Sequence, residues 1–210
     1  MIRHRFSRLS LLCAAVLAGA CASAPPTQYY TLQAQPQAQT APRAGGYAIE
    51  VMPVGVPSQV DVPQLVVRRG PGELALLESH QWAAPLHREL RAALSEQLSA
   101  ALGVADVYRL AVADDLAVLK IKVNVSRFEA WPGRQTVVGA TWSVSQPASG
   151  SAPARTLTCT TQISQPVGMQ HDELVAGYQR AVQALTAEIA AAVRDLRKSG
   201  VAGCAGAVVG

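Results

Sequence analysis

The sequence predicts an α+β domain in two layers, a mainly antiparallel sheet covered on one face by two amphipathic helices. Three observations predict it. Several short segments place apolar residues at every second position, the period of a half-buried strand, whereas two longer segments repeat them every three or four residues, the period of a helix. These segments follow one another as strand, strand, hairpin, helix, several strands and helix. Short connections between neighbouring strands favour antiparallel pairing, and two one-faced helices must bury their stripes against one side of the sheet they form.

The chain opens with a basic stretch, "MIRHRFSR", carrying Arg3, Arg5 and Arg8, followed by the apolar run "LLCAAVLAGA". This is the plan of a secretory signal over residues 1–20, and the run is too short to span a bilayer. Cleavage before Cys21 leaves residues 21–210, and loss of the three arginines takes the formal charge from +4 to +1. Residues 21–28 form a short tether after the signal. The segment 33–46, "QAQPQAQTAPRAGG", is rich in Gln, Ala, Pro and Gly without a hydrophobic period and reads as a flexible loop.

From Tyr47, "YAIEVMPVGV" alternates Ile49 and Val51 before Pro53 ends the strand. "QLVVRRGPGELALLES" is two apolar runs about a Gly-Pro-Gly turn, a hairpin. Trp82, Leu86, Leu90, Leu94, Leu98 and Leu102 then form one helical stripe that Gly103 stops, with Arg88, Arg91, Glu96 and Gln97 away from it. In "LKIKVNVSRF" the alternation of Leu119, Ile121, Val123 and Val125 shifts phase at Phe128, which implies a bulge near Ser126 and Arg127. Val138, Ala140, Trp142 and Val144 continue the sheet, as do Leu157, Cys159, Thr161 and Ile163. A final helix runs from about Asp172 to Lys198, and the Gly/Ala-rich stretch 199–210 is a tail outside the domain of residues 29–198.

Composition narrows the function. Half of the residues are apolar and 15% are charged, as in a globular protein rather than a disordered one. With a mature charge near zero and no basic stripe interleaved with aromatics, nucleic acid finds no electrostatic footprint. "GPGELA" fits the glycine spacing of a dinucleotide-binding turn, but no helix begins after it to hold a pyrophosphate, so it is a hairpin turn. His80, His87 and His171 lie in no metal-ligand spacing, and His87 reads as a solvated or capping residue. No serine sits in a nucleophile elbow, and nothing points to a cofactor, a metal or catalytic machinery. Cys159 alternates inward as a small hydrophobe, and an oxidising compartment leaves a bridge to Cys204 open as a second reading. Trp82 and Trp142 belong to the core. Trp131, beside Pro132 in the turn "EAWPGRQ", is spare for the core and is a candidate contact for a partner or a second subunit.

Cys21 at the signal end, "YYTL" soon after it, "VMPVGVPSQVDVPQLVVRR", "QWAAPLHRELRAALSEQLSAAL", "VSRFEAWPGRQTVVGATWSV" and "AVQALTAEIAAAV" occur in that order. This succession resembles the ABC-type transport auxiliary lipoprotein family, the PqiC/YmbA family, over nearly all of the mature chain. The resemblance implies a lipid such as palmitate on Cys21 and, with Ala22 after it, sorting to the outer membrane. It implies an MCE-domain transport protein as partner, a role in lipid transport and membrane integrity, and a homo-oligomer. It also makes "YYTL" the first strand, so the tether is at most about 25 Å long. A lipid carrier that itself holds an acyl chain is the rival reading. The chain departs from the family pattern at Val62 and at Gln81 and Ala84, where charged residues are common.

Overall fold

A computed structural model describes residues 26–33, 46–148, 153–199 and 203–204. Strands β1 (Gln28–Tyr30), β2 (Tyr47–Val51), β3 (Gln64–Arg68) and β4 (Leu74–Trp82) lead into helix α1 (Leu86–Leu102). Strands β5 (Ala117–Trp131), β6 (Gln135–Gln146) and β7 (Arg155–Pro166) then lead into helix α2 (His171–Ser199). The α+β class stands, as do the helical stripes and the strand order. The strands divide between two sheets, β1-β4-β3 and β2-β5-β6-β7, a division that local periodicity did not disclose.

Each sheet carries one parallel pair. β1 runs parallel to β4 and β2 parallel to β5, whereas β3-β4, β5-β6 and β6-β7 are antiparallel. The tight turns at Gly70–Gly72 and Trp131–Arg134 can only reverse the chain, while β2 reaches β5 through the β3-β4 hairpin and α1, a connection long enough for a crossover. The phase shift read at Ser126 is a β-bulge, with pairing resuming at Arg127 opposite Gly139.

Trp82 ends β4 instead of opening the helix. Its register partner in β1 is Tyr30, and Pro85, at the N-cap with φ −49° and ψ 137°, holds the chain extended until Leu86. Proline suits a helix start but not its interior, so the four-residue spacing from Trp82 to Leu86 is coincidental. Leu86, Leu90, Leu94 and Leu98 are all fully buried, and Gly103 closes the helix in the left-handed conformation (φ 68°), its N–H bonded to Ser99 O.

Both helices cover the inner face of the four-stranded sheet, α2 against β6 and β7, α1 against β2 and α2. The outer face is a polar surface that includes Lys122, Asn124, Thr141, Thr158 and Thr160. Gly177 lets α2 approach β6, since an added Cβ would lie 2.8 Å from Thr136 Oγ1. Three aromatic rings join the two sheets to α2: Phe128 of β5 stacks on Tyr178 at 3.9 Å between centroids, and Trp82 meets both at 6.1 and 6.2 Å. The gap that remains among Val60, Val66, Trp82, Leu86, Phe128 and Tyr178 is ≈ 10 Å³, no larger than a single water requires.

Candidate functional site

Residues 31–33 leave β1 and enter a clamp between the two helices. Glu89, in the first turn of α1, is buried, and its Oε2 accepts hydrogen bonds from Leu32 N–H (2.9 Å) and Thr31 Oγ1–H (2.7 Å). A carboxylate near a helix N-terminus is favoured by the helix dipole, and two donors replace the water it loses. Gln179 of α2 donates from Nε2 to Thr31 O at 3.0 Å. Leu32 between these bonds is fully buried. The start of the domain, from Gln28 to Leu32, is thereby tied to both helices as well as to β4.

Sequence reading missed Glu89. Its signal is a charged residue inside the apolar stripe, between Leu86 and Leu90, a place a solvated carboxylate would avoid.

Asp106 makes a second junction, at the other end of α1. Its carboxylate accepts from Arg91 Nη2 at 3.0 Å, Ser95 Oγ at 2.6 Å, Val51 N–H at 3.1 Å and Tyr108 N–H at 3.1 Å. At the start of α1, Asp61 reaches across the chain to His87, with Oδ1 3.0 Å from Nδ1 and 3.4 Å from the backbone N–H. His87 is thus the partner of a capping carboxylate. Val62 packs against the core, and Pro63 O accepts Trp82 N–H at 2.8 Å. The two segments where the chain lacks charged residues are therefore joined by a backbone bond.

Several connections gather at one end of the molecule. The β5-β6 turn holds Trp131, Pro132, Gly133 and Arg134. It is joined to the segment before α2 by Gly133 N–H to Gly168 O (2.8 Å) and Val167 N–H to Arg134 O (3.2 Å). Trp131 is half-buried. The guanidinium groups of Arg134 and Arg68 lie 5.3 and 5.9 Å from its ring, and its Nε1–H points to Glu129 Oε2 at 3.4 Å. Arg68 and Arg127 both pair with Glu129. Burial alone would raise the Glu129 carboxyl, but the bonds from Arg127 and Trp131 and the two positive charges bring it below its ordinary value.

At the same end Tyr30 Oη and His80 Nδ1 are 3.0 Å apart, and the His80 and His171 rings meet at 3.9 Å. Burial first, and then His171, push the His80 imidazole down. Burial also holds the Tyr178 phenol well above its ordinary value, Glu129 adding to the effect, so Tyr178 is neutral.

Cys159 is buried as expected, and it is also bridged to Cys204, with Cα atoms 5.6 Å apart. Inward alternation and pairing are compatible, because Cys204 lies against the inner side of β7. Among the described residues no three His, Cys, Asp or Glu side chains gather as a metal site, and no helix is long and apolar enough to cross a membrane. A shallow groove of ≈ 440 Å³ lies over the sheet's outer face between Met52–Gly55 and Lys122, Asn124, Thr141, Ser143 and Thr158.

The chain matches the model of the family described as ABC-type transport auxiliary lipoprotein component over residues 30–190. It belongs to that family. The match begins at Tyr30 and takes in the clamp, both sheets, the Trp131 turn and most of α2. Two solved structures show the fold. One, described only as an uncharacterized protein, has a TM-score of 0.59 at 19% identity, over 79% of this chain and 97% of that one. The other, a protein from Xanthomonas campestris, has a TM-score of 0.54 at 19% identity, over 82% of this chain and 96% of that one. No curated protein sequence matches the chain.

As a member of a transport auxiliary family, the protein has an accessory role in transport, and the family points to a non-catalytic part in it. Cys21 lies outside the described residues, as do the signal 1–20, most of the loop 33–46 and most of the tail 199–210. Trp131 and Pro132 stand at the loop end, with Trp131 held by arginines instead of projecting freely.

Proposed function

We propose that the protein is an outer-membrane lipoprotein, acylated at Cys21, which serves as a non-catalytic, homo-oligomeric subunit docking an MCE-domain transport protein in lipid transport that maintains membrane integrity. The observation that carries this reading is the Glu89 clamp. Thr31 and Leu32, at the start of the domain, are built into the core, so an acyl chain at Cys21 would hold the whole folded domain within about 25 Å of the bilayer. A free-swinging carrier would gain nothing from such a short, fixed connection.

The filled interior favours docking over carriage. A gap of ≈ 10 Å³ behind Trp82 and Leu86 has no room for an acyl chain, and the larger groove is a shallow one that lies on the outer face of the sheet, away from the core. Labelling cells with a palmitate analogue tests the anchor: wild type should take up label and sediment with outer membranes, and Cys21→Ser should do neither. Affinity purification of the lipoprotein from envelope membranes tests the partner. Recovery without an MCE-domain protein would remove that part of the reading.

A further inference from the structure

We infer that the loop end built by Trp131, Pro132, Arg134 and Met169 lies on the headgroup layer of the membrane that holds the lipid on Cys21. The inference rests on the anchor proposed above and adds the orientation of the domain.

The first argument is where the tether enters. β1 starts at Gln28, paired with His80, and runs parallel to β4. The chain before Gln28 therefore approaches from the side of the β3-β4 turn, at Arg69–Glu73. His80 in turn touches His171, two residues after Met169. The described chain begins at Pro26, only five residues from Cys21, a span of at most about 18 Å. Whatever surface holds the acyl chain is close to this end and far from the β6-β7 turn at the opposite one.

The second argument is the chemistry of that end. Met169 is 67% exposed, more than any other large hydrophobic residue among those described. Its side chain lies over Gly133, whose φ of 69° and lack of a Cβ leave room for the sulfur. The two hydrogen bonds between this turn and Val167–Gly168 make the platform rigid before any contact forms. Trp131 presents an amphipathic ring flanked by arginines, and Arg134 is exposed. Tryptophan and arginine settle at the level of lipid headgroups, where the ring is half wet and the guanidinium meets phosphate. Glu73, Asp172 and Glu173 are also exposed nearby, so the contact depends on the aromatic and thioether groups more than on net charge.

The test uses the full-length lipidated protein in vesicles of phosphatidylethanolamine and phosphatidylglycerol whose acyl chains carry bromine near the headgroup. Trp82 and Trp142 are buried, so quenching should fall on Trp131 alone and vanish in Trp131→Phe, a variant whose melting temperature is checked in parallel. Acylation is read by mass on the same sample. Acylated wild type that is not quenched, or is quenched as much as Trp131→Phe, overturns the orientation and leaves the turn to a protein partner or a second subunit. Wild type without an acyl chain removes the anchor and this inference with it.

Discussion

Leu32 and Glu89, 57 residues apart in sequence, are joined by a 2.9 Å hydrogen bond from the backbone of the first to the carboxylate of the second. Thr31 adds a second bond to the same oxygen. Through this pair, force applied at the N-terminal tether passes directly into α1 and the core. Glu89→Ala should leave the buried Leu32 N–H unpaired and cost roughly 1.5–3 kcal/mol, the scale for hydrogen bonds to a charged group. Urea unfolding measures the loss. Limited proteolysis should show cleavage near residues 26–33 rising before global unfolding, and a stability change under about 0.5 kcal/mol with no new cleavage would refute the clamp.

Leu90 is fully buried between the helices and the sheet. Leu90→Ala should destabilise by about 2–5 kcal/mol, the range for removing a large buried aliphatic side chain. An unchanged urea midpoint would mean that this face of α1 packs against something other than its own core.

The Cys159–Cys204 bridge closes a loop with a sequence separation of 45. By chain entropy such a cross-link stabilises by up to about 4 kcal/mol. Reduction, or the pair of changes Cys159→Ala and Cys204→Ala, should lower the melting temperature and free the C-terminal tail to protease. Equal melting of oxidised and reduced protein would show that the bridge constrains only the tail.

His80 gives a pH dependence with a definite sign. Its folded value lies below the ordinary 6.5 because of burial and His171, so the unfolded chain binds this proton more readily. The stability it contributes is present above about pH 6.5 and is lost as pH falls below that value toward the folded pKa. Denaturation midpoints measured from pH 7.5 down to about 5.5 should fall less in His80→Gln than in wild type. Glu129 acts in a separate window, since its lowered carboxyl loses stability only below its ordinary 4.5. Parallel curves for wild type and His80→Gln would show that the ring titrates as it does in the unfolded chain.

What the sequence determined by itself is local. The stripes from Leu86 to Leu102 and from Leu174 to Leu196, the stop at Gly103, the inward alternation of Trp142 and Cys159, and the bulge after Val125 follow from side-chain period and glycine conformation. These act over a few residues and are read from neighbours. Only the tertiary structure decided how the strands divide into two sheets with two parallel pairs, because parallel partners meet across long connections that carry no local signature. The same holds for Trp82, whose spacing fits a helix but whose backbone pairs with Tyr30 of β1. It holds too for Glu89 and Asp106, whose carboxylates are stabilised by donors distant in sequence, and for the closure of Cys159 on Cys204. Burial of a charge or a thiol depends on what the rest of the chain brings to it, and periodicity has no term for that.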